Sequence, residues 1–181
     1  MATHRPLLAI TMGDPAGVGP EVVIKALDRP EVWEVCRPLV VGDAQWMEQA
    51  RRIAGGSRPV RGVHIPIEAG MAESVDVLDL ANVDVSHLSR GQVSPEAGQA
   101  AYEYVDRAVH LALEKDVAGV VTAPLNKEAL HAAGVEYAGH TEILADLCGA
   151  QGVVMMLVAD RMRVSHVSTC LLYTSDAADD N

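Results

Sequence analysis

The chain has 181 residues, 49% hydrophobic and 22% charged, the composition of one globular domain or of part of a larger one. Its formal net charge of −11 excludes a general affinity for nucleic acid or for an anionic membrane, since either needs a basic surface to displace counterions. Only 3% of the residues are aromatic and phenylalanine is absent, so the core must come from Val, Leu, Ala, Ile and Met, as suits an α/β protein binding a small molecule.

From the amino terminus, PLLAITMG (residues 6–13) reads as a strand and GPEVVIKALD (19–28) as a helix; RPLVVGD (37–43) and AQWMEQARRIAG (44–55) repeat the pair. This βαβα rhythm predicts a parallel sheet covered by helices. VHIPIE (63–68) and VDVLDL (75–80) are further strand candidates. The longest helical pattern runs from Ser94 to Asp116, with Ser94 at the N-cap, Pro95 at the first helical position and Ala101, Val105, Ala108 and Ala112 at helix spacing. VAGVVTAP (117–124) has the unbroken apolar character of a buried central strand and stops at Pro124, whose loop feeds a helix in LNKEALHAAG (125–134). HTEILADLCG (140–149) reads as one more helix. VVMMLVAD (153–160) and RMRVSHVST (161–169) read as two strands joined by a tight polar turn at Asp160 and Arg161.

The last residues, CLLYTSDAADDN (170–181), dissolve into small and acidic residues and break this grammar. The expected organisation is a structured part over residues 1–169 and a non-native or disordered tail over 170–181. No stretch approaches the ~20 apolar residues of a membrane span and the first residues do not form a signal peptide, so a cytoplasmic location is expected. Cys36, Cys148 and Cys170 lie far apart in sequence and are expected to be reduced, mostly buried thiols.

Known chemical motifs fail first around MGDPAGVGPE (12–21). No Gly-Lys-Ser/Thr follows its glycines, and the G-x-G of Gly17 and Gly19 meets Val22 where a dinucleotide fingerprint has its third glycine. A serine elbow, a paired-carboxylate motif and an H-x-x-x-H metal pair are also missing, which removes the hydrolase readings. Two places remain. The expected strand ending at Pro124 delivers Lys127 to its carboxyl end, where open α/β sheets keep ligands; the alternative is a solvated surface lysine. GHTE (139–142) sets His140 and Thr141 at a helix start, where free amides, a hydroxyl and an imidazole can hold a phosphate or carboxylate; the alternative is a Thr141 cap and a packed His140. His166, alone in an apolar strand pattern, reads as a satisfied core residue.

Four collinear segments, TMGDPAGVGPEVVIKAL, GQVSPEAGQAAYEYVDRAV, VTAPLNKEALHAAG and YAGHTEILADL, together resemble the 4-hydroxythreonine-4-phosphate dehydrogenase family of vitamin B6 biosynthesis. The resemblance spans Leu7 to Thr169, the amino-terminal half of a usual member. It implies an isocitrate/isopropylmalate-dehydrogenase-like α/β fold, here incomplete, and a homodimer with its active site near the subunit interface. It also implies NAD or NADP, a divalent metal (Zn, Mg or Co), and oxidation of the C3 hydroxyl of a small phosphorylated hydroxy acid followed by loss of CO₂.

By the same resemblance His140 and Thr141 are the substrate-binding pair, and MGDPAGVGPE is the turn from first strand to first helix, with Asp14 facing the cleft. The position of the family's first histidine metal ligand is held by Cys170; the remaining ligands and most of the cofactor site fall in the other half, so the chain by itself is expected to be inactive. TAPLNKEAL and HVST are closer in spelling to a branch that oxidises 4-phospho-D-threonate or 4-phospho-D-erythronate, the alternative substrate class. A phosphate acyltransferase of related fold and a non-catalytic remnant are the competing classes.

Overall fold

The computed structural model describes residues 5–166. Five parallel strands form its sheet: β1 (Leu7–Thr11), β2 (Arg37–Gly42), β3 (Val60–Val63), β4 (Val75–Asp79) and β5 (Gly119–Thr122), in the order β3-β4-β2-β1-β5. β1 lies between β2 and β5, with Leu8 opposite Pro38 on one side and Gly119 on the other. Six helices join or follow the strands: α1 (Gly19–Leu27), α2 (Pro30–Val35), α3 (Ala44–Ala54), α4 (Pro95–Leu113), α5 (Lys127–Ala132) and α6 (His140–Leu147). Beyond α6, β6 (Met156–Ala159) and β7 (Met162–Ser165) make a separate antiparallel hairpin, turned at Asp160 and Arg161.

The helices begin where short polar side chains satisfy their first amides. Asp43 Oδ1 accepts from Trp46 N at 2.8 Å to start α3, Ser94 Oγ from Ala97 N at 3.0 Å to start α4, and Asn126 Oδ1 from Glu128 N at 2.9 Å to start α5. Pro95 occupies the first turn of α4, where its missing N–H costs nothing. The inner strands β1, β2 and β4 place Ala9, Leu39, Val40, Val41 and Val77 at zero exposure, and Trp46, Met47, Tyr104 and Leu111 from α3 and α4 complete the core. This apolar burial, rather than helix propensity, holds the short helices in place.

Several expectations are corrected. The strand expected over 63–68 lies upstream as β3, and Pro66–Glu68 is a 3-10 turn, because Pro66 has no N–H to give a ladder. α2 was not anticipated. β5 is not a buried central strand: among the described residues it pairs only with β1, and Val121 is 46% exposed, so its apolar run marks an edge left open here. Cys36 is buried as expected but Cys148 is exposed. His166 follows β7 half-exposed rather than in the core. Cys170 and the tail over 170–181 lie outside the described residues.

Candidate functional site

The glycine-rich segment after β1 is structural. Gly13 adopts φ +76°, and a Cβ on it would come within 3.1 Å of Ala123; a Cβ on Gly19 would stand 2.5 Å from the Met12 carbonyl oxygen. The Asp14 amide donates to the Pro124 carbonyl at 2.9 Å, which ties this turn to the loop after β5. Asp14 does not face a cleft. It is 3% exposed, and its Oδ1 accepts from the Ala16 amide at 2.8 Å. Burial raises its carboxyl above the ordinary range, and the Ala16 and Gly17 amides offset part of that rise.

Braced in this way, the loop Ala123–Asn126 forms one wall of a cleft of about 700 Å³ at the carboxyl end of β5. Pro124, Leu125 and Lys127 line that wall; Gly139, His140, Thr141 and Glu142 line the other, with Met155 contributed from just before β6. The structure thus brings Lys127 into the same cleft as His140 and Thr141. A larger cleft of about 820 Å³ lies at the opposite, amino-terminal edge of the strands, between Leu7, Arg37, Pro66 and Lys115. The carboxyl end remains the better candidate, because strand carboxyl ends and helix amino termini converge there.

At the start of α6, Gly139 is the N-cap and no side chain caps the helix; Thr141 is the second helical residue, so the capping role weighed for it is not the one it plays. The first backbone bond of the helix runs from Ile143 N to Gly139 O at 3.3 Å, which leaves the amides of His140, Thr141 and Glu142, all cleft-lining residues, without a partner inside the helix. The His140 ring is half-buried, and its Nε2 is buried without a partner among the described residues. Burial holds this imidazole below its ordinary pKa, and the Ala123 backbone offsets part of the shift, so the ring is neutral near pH 7. A neutral ring, a hydroxyl, three open amides and an ammonium can together receive an anion.

Glu142, the last residue of the GHTE segment, lines the cleft with His140 and Thr141, whereas sequence reasoning missed Met155 in its lining. It also missed the strap over residues 80–94. There Arg90 Nη1 lies 2.5 Å from Glu21 Oε1, its guanidinium carbon is 4.7 Å from the centroid of Trp46, and Gly91 N donates to Ala16 O at 2.7 Å. No local motif could reveal this strap, because its partners come from α1, α3 and the first turn. Among the described residues no group of three His, Cys, Asp or Glu side chains is arranged to hold a metal ion, and no helix is long and apolar enough to cross a membrane.

The family model described as "Pyridoxal phosphate biosynthetic protein PdxA" matches residues 34–175. The chain belongs to this family. It is 45% identical over 170 residues to a D-threonate 4-phosphate dehydrogenase of Cupriavidus necator, covering 93% of this chain and 51% of that protein. It is 43% identical to a 4-hydroxythreonine-4-phosphate dehydrogenase of Trichlorobacter lovleyi, again covering 93% and 51%. A crystal structure of a 4-hydroxythreonine-4-phosphate dehydrogenase from Burkholderia phymatum superposes with a TM-score of 0.86 at 48% identity, over 92% of this chain and 50% of that one. The family member thus spans about half the length of the relatives it matches, and its fold is the corresponding half of the isocitrate/isopropylmalate-dehydrogenase-like architecture.

Proposed function

We propose that this chain is the amino-terminal half of a nicotinamide-dependent dehydrogenase that oxidises the C3 hydroxyl of 4-hydroxythreonine 4-phosphate in pyridoxal phosphate biosynthesis. The observation that carries the reading is the uncapped start of α6, with His140 Nε2 buried and unpartnered beside Thr141 in a cleft at the carboxyl end of the sheet. His140 and Thr141 are the substrate-binding pair in this reading. The α6 amides and the Thr141 hydroxyl donate to the phosphate oxygens, and a negative group there is stabilised by the helix dipole. His140, whose burial favours the neutral ring, takes up a proton from solvent as the dianion arrives and then donates as well.

Anchoring one end of the substrate in this way converts the encounter at C3 into a positioned one, the contribution this half of the protein makes to rate. NAD or NADP supplies acceptance of the hydride from C3. A divalent metal belongs to the same reading, but among the described residues no group of three His, Cys, Asp or Glu side chains is arranged to hold it. Decarboxylation of the resulting β-keto acid completes the reaction. A homodimer in the cytoplasm is also part of the reading, and the exposed apolar residues Met156, Leu157, Val158, Met162 and Val164 of the β6–β7 hairpin favour burial against further protein.

The alternative substrate is 4-phospho-D-threonate, favoured by the 45% identity to the Cupriavidus necator dehydrogenase. Both acids carry the phosphate that His140 and Thr141 are proposed to hold; they differ at C2. The test uses the protein extended to the full length of its relatives, with nicotinamide reduction followed for each acid. Faster turnover of 4-phosphohydroxythreonine supports the main reading, faster turnover of the threonate supports the alternative, and reduction with neither overturns both.

A further inference from the structure

Lys127 stands at an electrostatically unfavourable place for its own helix. It is the first residue of α5, where the helix dipole disfavours a cation. Asn126 fixes it there, since that cap accepts from both Glu128 N and Ala129 N. Among the described residues its ammonium forms no ion pair, although Glu142 lines the same cleft. Lys127 also leans over the open start of α6: a Cβ placed on Gly139 would lie 3.7 Å from Lys127 Cε and 3.8 Å from Glu142 Oε2. The missing side chain at Gly139 therefore leaves a gap between lysine and helix start. At φ 165° the backbone of Gly139 is extended, so glycine is not required there by conformation.

We propose that Lys127 is a substrate-binding residue that supplies the charge of an anion cradle walled by Gly139, His140 and Thr141, and that it selects a phosphoryl dianion over singly charged groups. The proposal rests on the reading of His140 and Thr141 as the phosphate end of the site. The physical reason is additive: amides and a hydroxyl orient an anion but carry no net charge, whereas an unpaired ammonium beside them doubles its attraction for a dianion relative to a monoanion. The Gly139 gap admits the phosphoryl oxygens between the two.

Inorganic phosphate and acetate, titrated calorimetrically into this chain and its variants, test the proposal, with circular dichroism checking the fold. The unsubstituted chain is expected to bind phosphate more tightly than acetate. Lys127→Met should weaken phosphate about tenfold or more, as expected for loss of a charge-assisted hydrogen bond, and narrow the preference over acetate; Lys127→Arg should restore most of it. Gly139→Ala, whose methyl meets only ordinary contacts, should keep the fold and lose phosphate. If Thr141→Val weakens phosphate and Lys127→Met does not, the site at α6 stands and the assignment of Lys127 is overturned. If the unsubstituted chain binds phosphate no better than acetate, the phosphate reading of the cleft falls together with it.

Discussion

Gly98 of α4 and Ala129 of α5 touch backbone to backbone. A Cβ on Gly98 would collide with the Ala129 carbonyl and stand 2.7 Å from the Leu130 nitrogen. No side-chain rotation relieves a clash with main-chain atoms. The close approach seats α5 on α4; α5 carries Lys127 at the cleft and buries Leu130 in a core cluster with Val105, Val109 and Ile143. Gly98→Ala is therefore expected to cost ~3 kcal/mol or more, above the usual range for overpacking, measured as a shift of the urea midpoint. It should also weaken phosphate binding, because α5 must move.

Tyr104 is fully buried, and its hydroxyl finds no partner among the described residues. Burial and the nearby Asp43 and Glu103 charges push its ionisation far above the ordinary phenol range, so it stays neutral. Removing an unsatisfied buried hydroxyl recovers its desolvation cost, and Tyr104→Phe is expected to be as stable as the parent or more stable by ~1 kcal/mol. A loss of similar size in thermal unfolding would reveal an internal water bridging that hydroxyl to the carboxylates.

Asp43 caps α3 while buried at 3% exposure. Burial first, and then the Asp79 charge, raise its carboxyl above the ordinary 3.8, against the pull of the Trp46 amide. A raised folded pKa means that stability is present below 3.8 and is lost as pH rises through the folded value, since the folded state then holds a proton more tightly than the unfolded one. Asn keeps the capping oxygen without the charge. Asp43→Asn should thus match or exceed the parent at pH 7, with the gain vanishing below pH 3.8, whereas Asp43→Ala should lose ~1 kcal/mol at both. Chemical denaturation across this range reads both signs.

His140 gives the opposite slope. Its folded pKa lies below 6.5, so its contribution is present above 6.5 and fades as pH falls through the folded value. His140→Gln should flatten stability against pH just below 6.5. Phosphate should restore part of the acid-side stability of the parent but not of the variant. Unfolding curves at paired pH values, with and without phosphate, provide the check.

The strap over 80–94 hangs on Arg90, which stacks on Trp46 and meets Glu21, with side chains 27% and 18% exposed. Arg90→Ala should increase proteolysis within 80–94 and shift the fluorescence of the buried Trp46, at a cost of ~1–2 kcal/mol for the lost stack and partly buried pair. Arg90→Lys keeps the charge but not the planar stack and should rescue only part. An unchanged cleavage pattern in the alanine variant would show that the other ties of the strap, among them Gly91 N to Ala16 O, Asn82 Nδ2 to Glu103 Oε2 and the buried Val83 and Leu88, hold it without Arg90.

Period and capping chemistry are local properties, and they were legible. Ser94 and Pro95 announced the start of α4, the alternation of apolar runs announced a parallel sheet, and four ordered segments carried the family resemblance that the match over residues 34–175 establishes. The place of His140 and Thr141 at a helix start was equally local. Three-dimensional packing decided the rest, because it joins residues that no sequence window contains. Apolar content alone could not tell a strand paired on both sides from one that, among the described residues, pairs only with β1, as β5 does. Asp14 looked like a cleft residue until the Ala16 amide and the Pro124 carbonyl drew its turn inward. The convergence of Lys127 with His140 rests on Gly98 admitting Ala129, a fit between two backbones that only the folded chain creates.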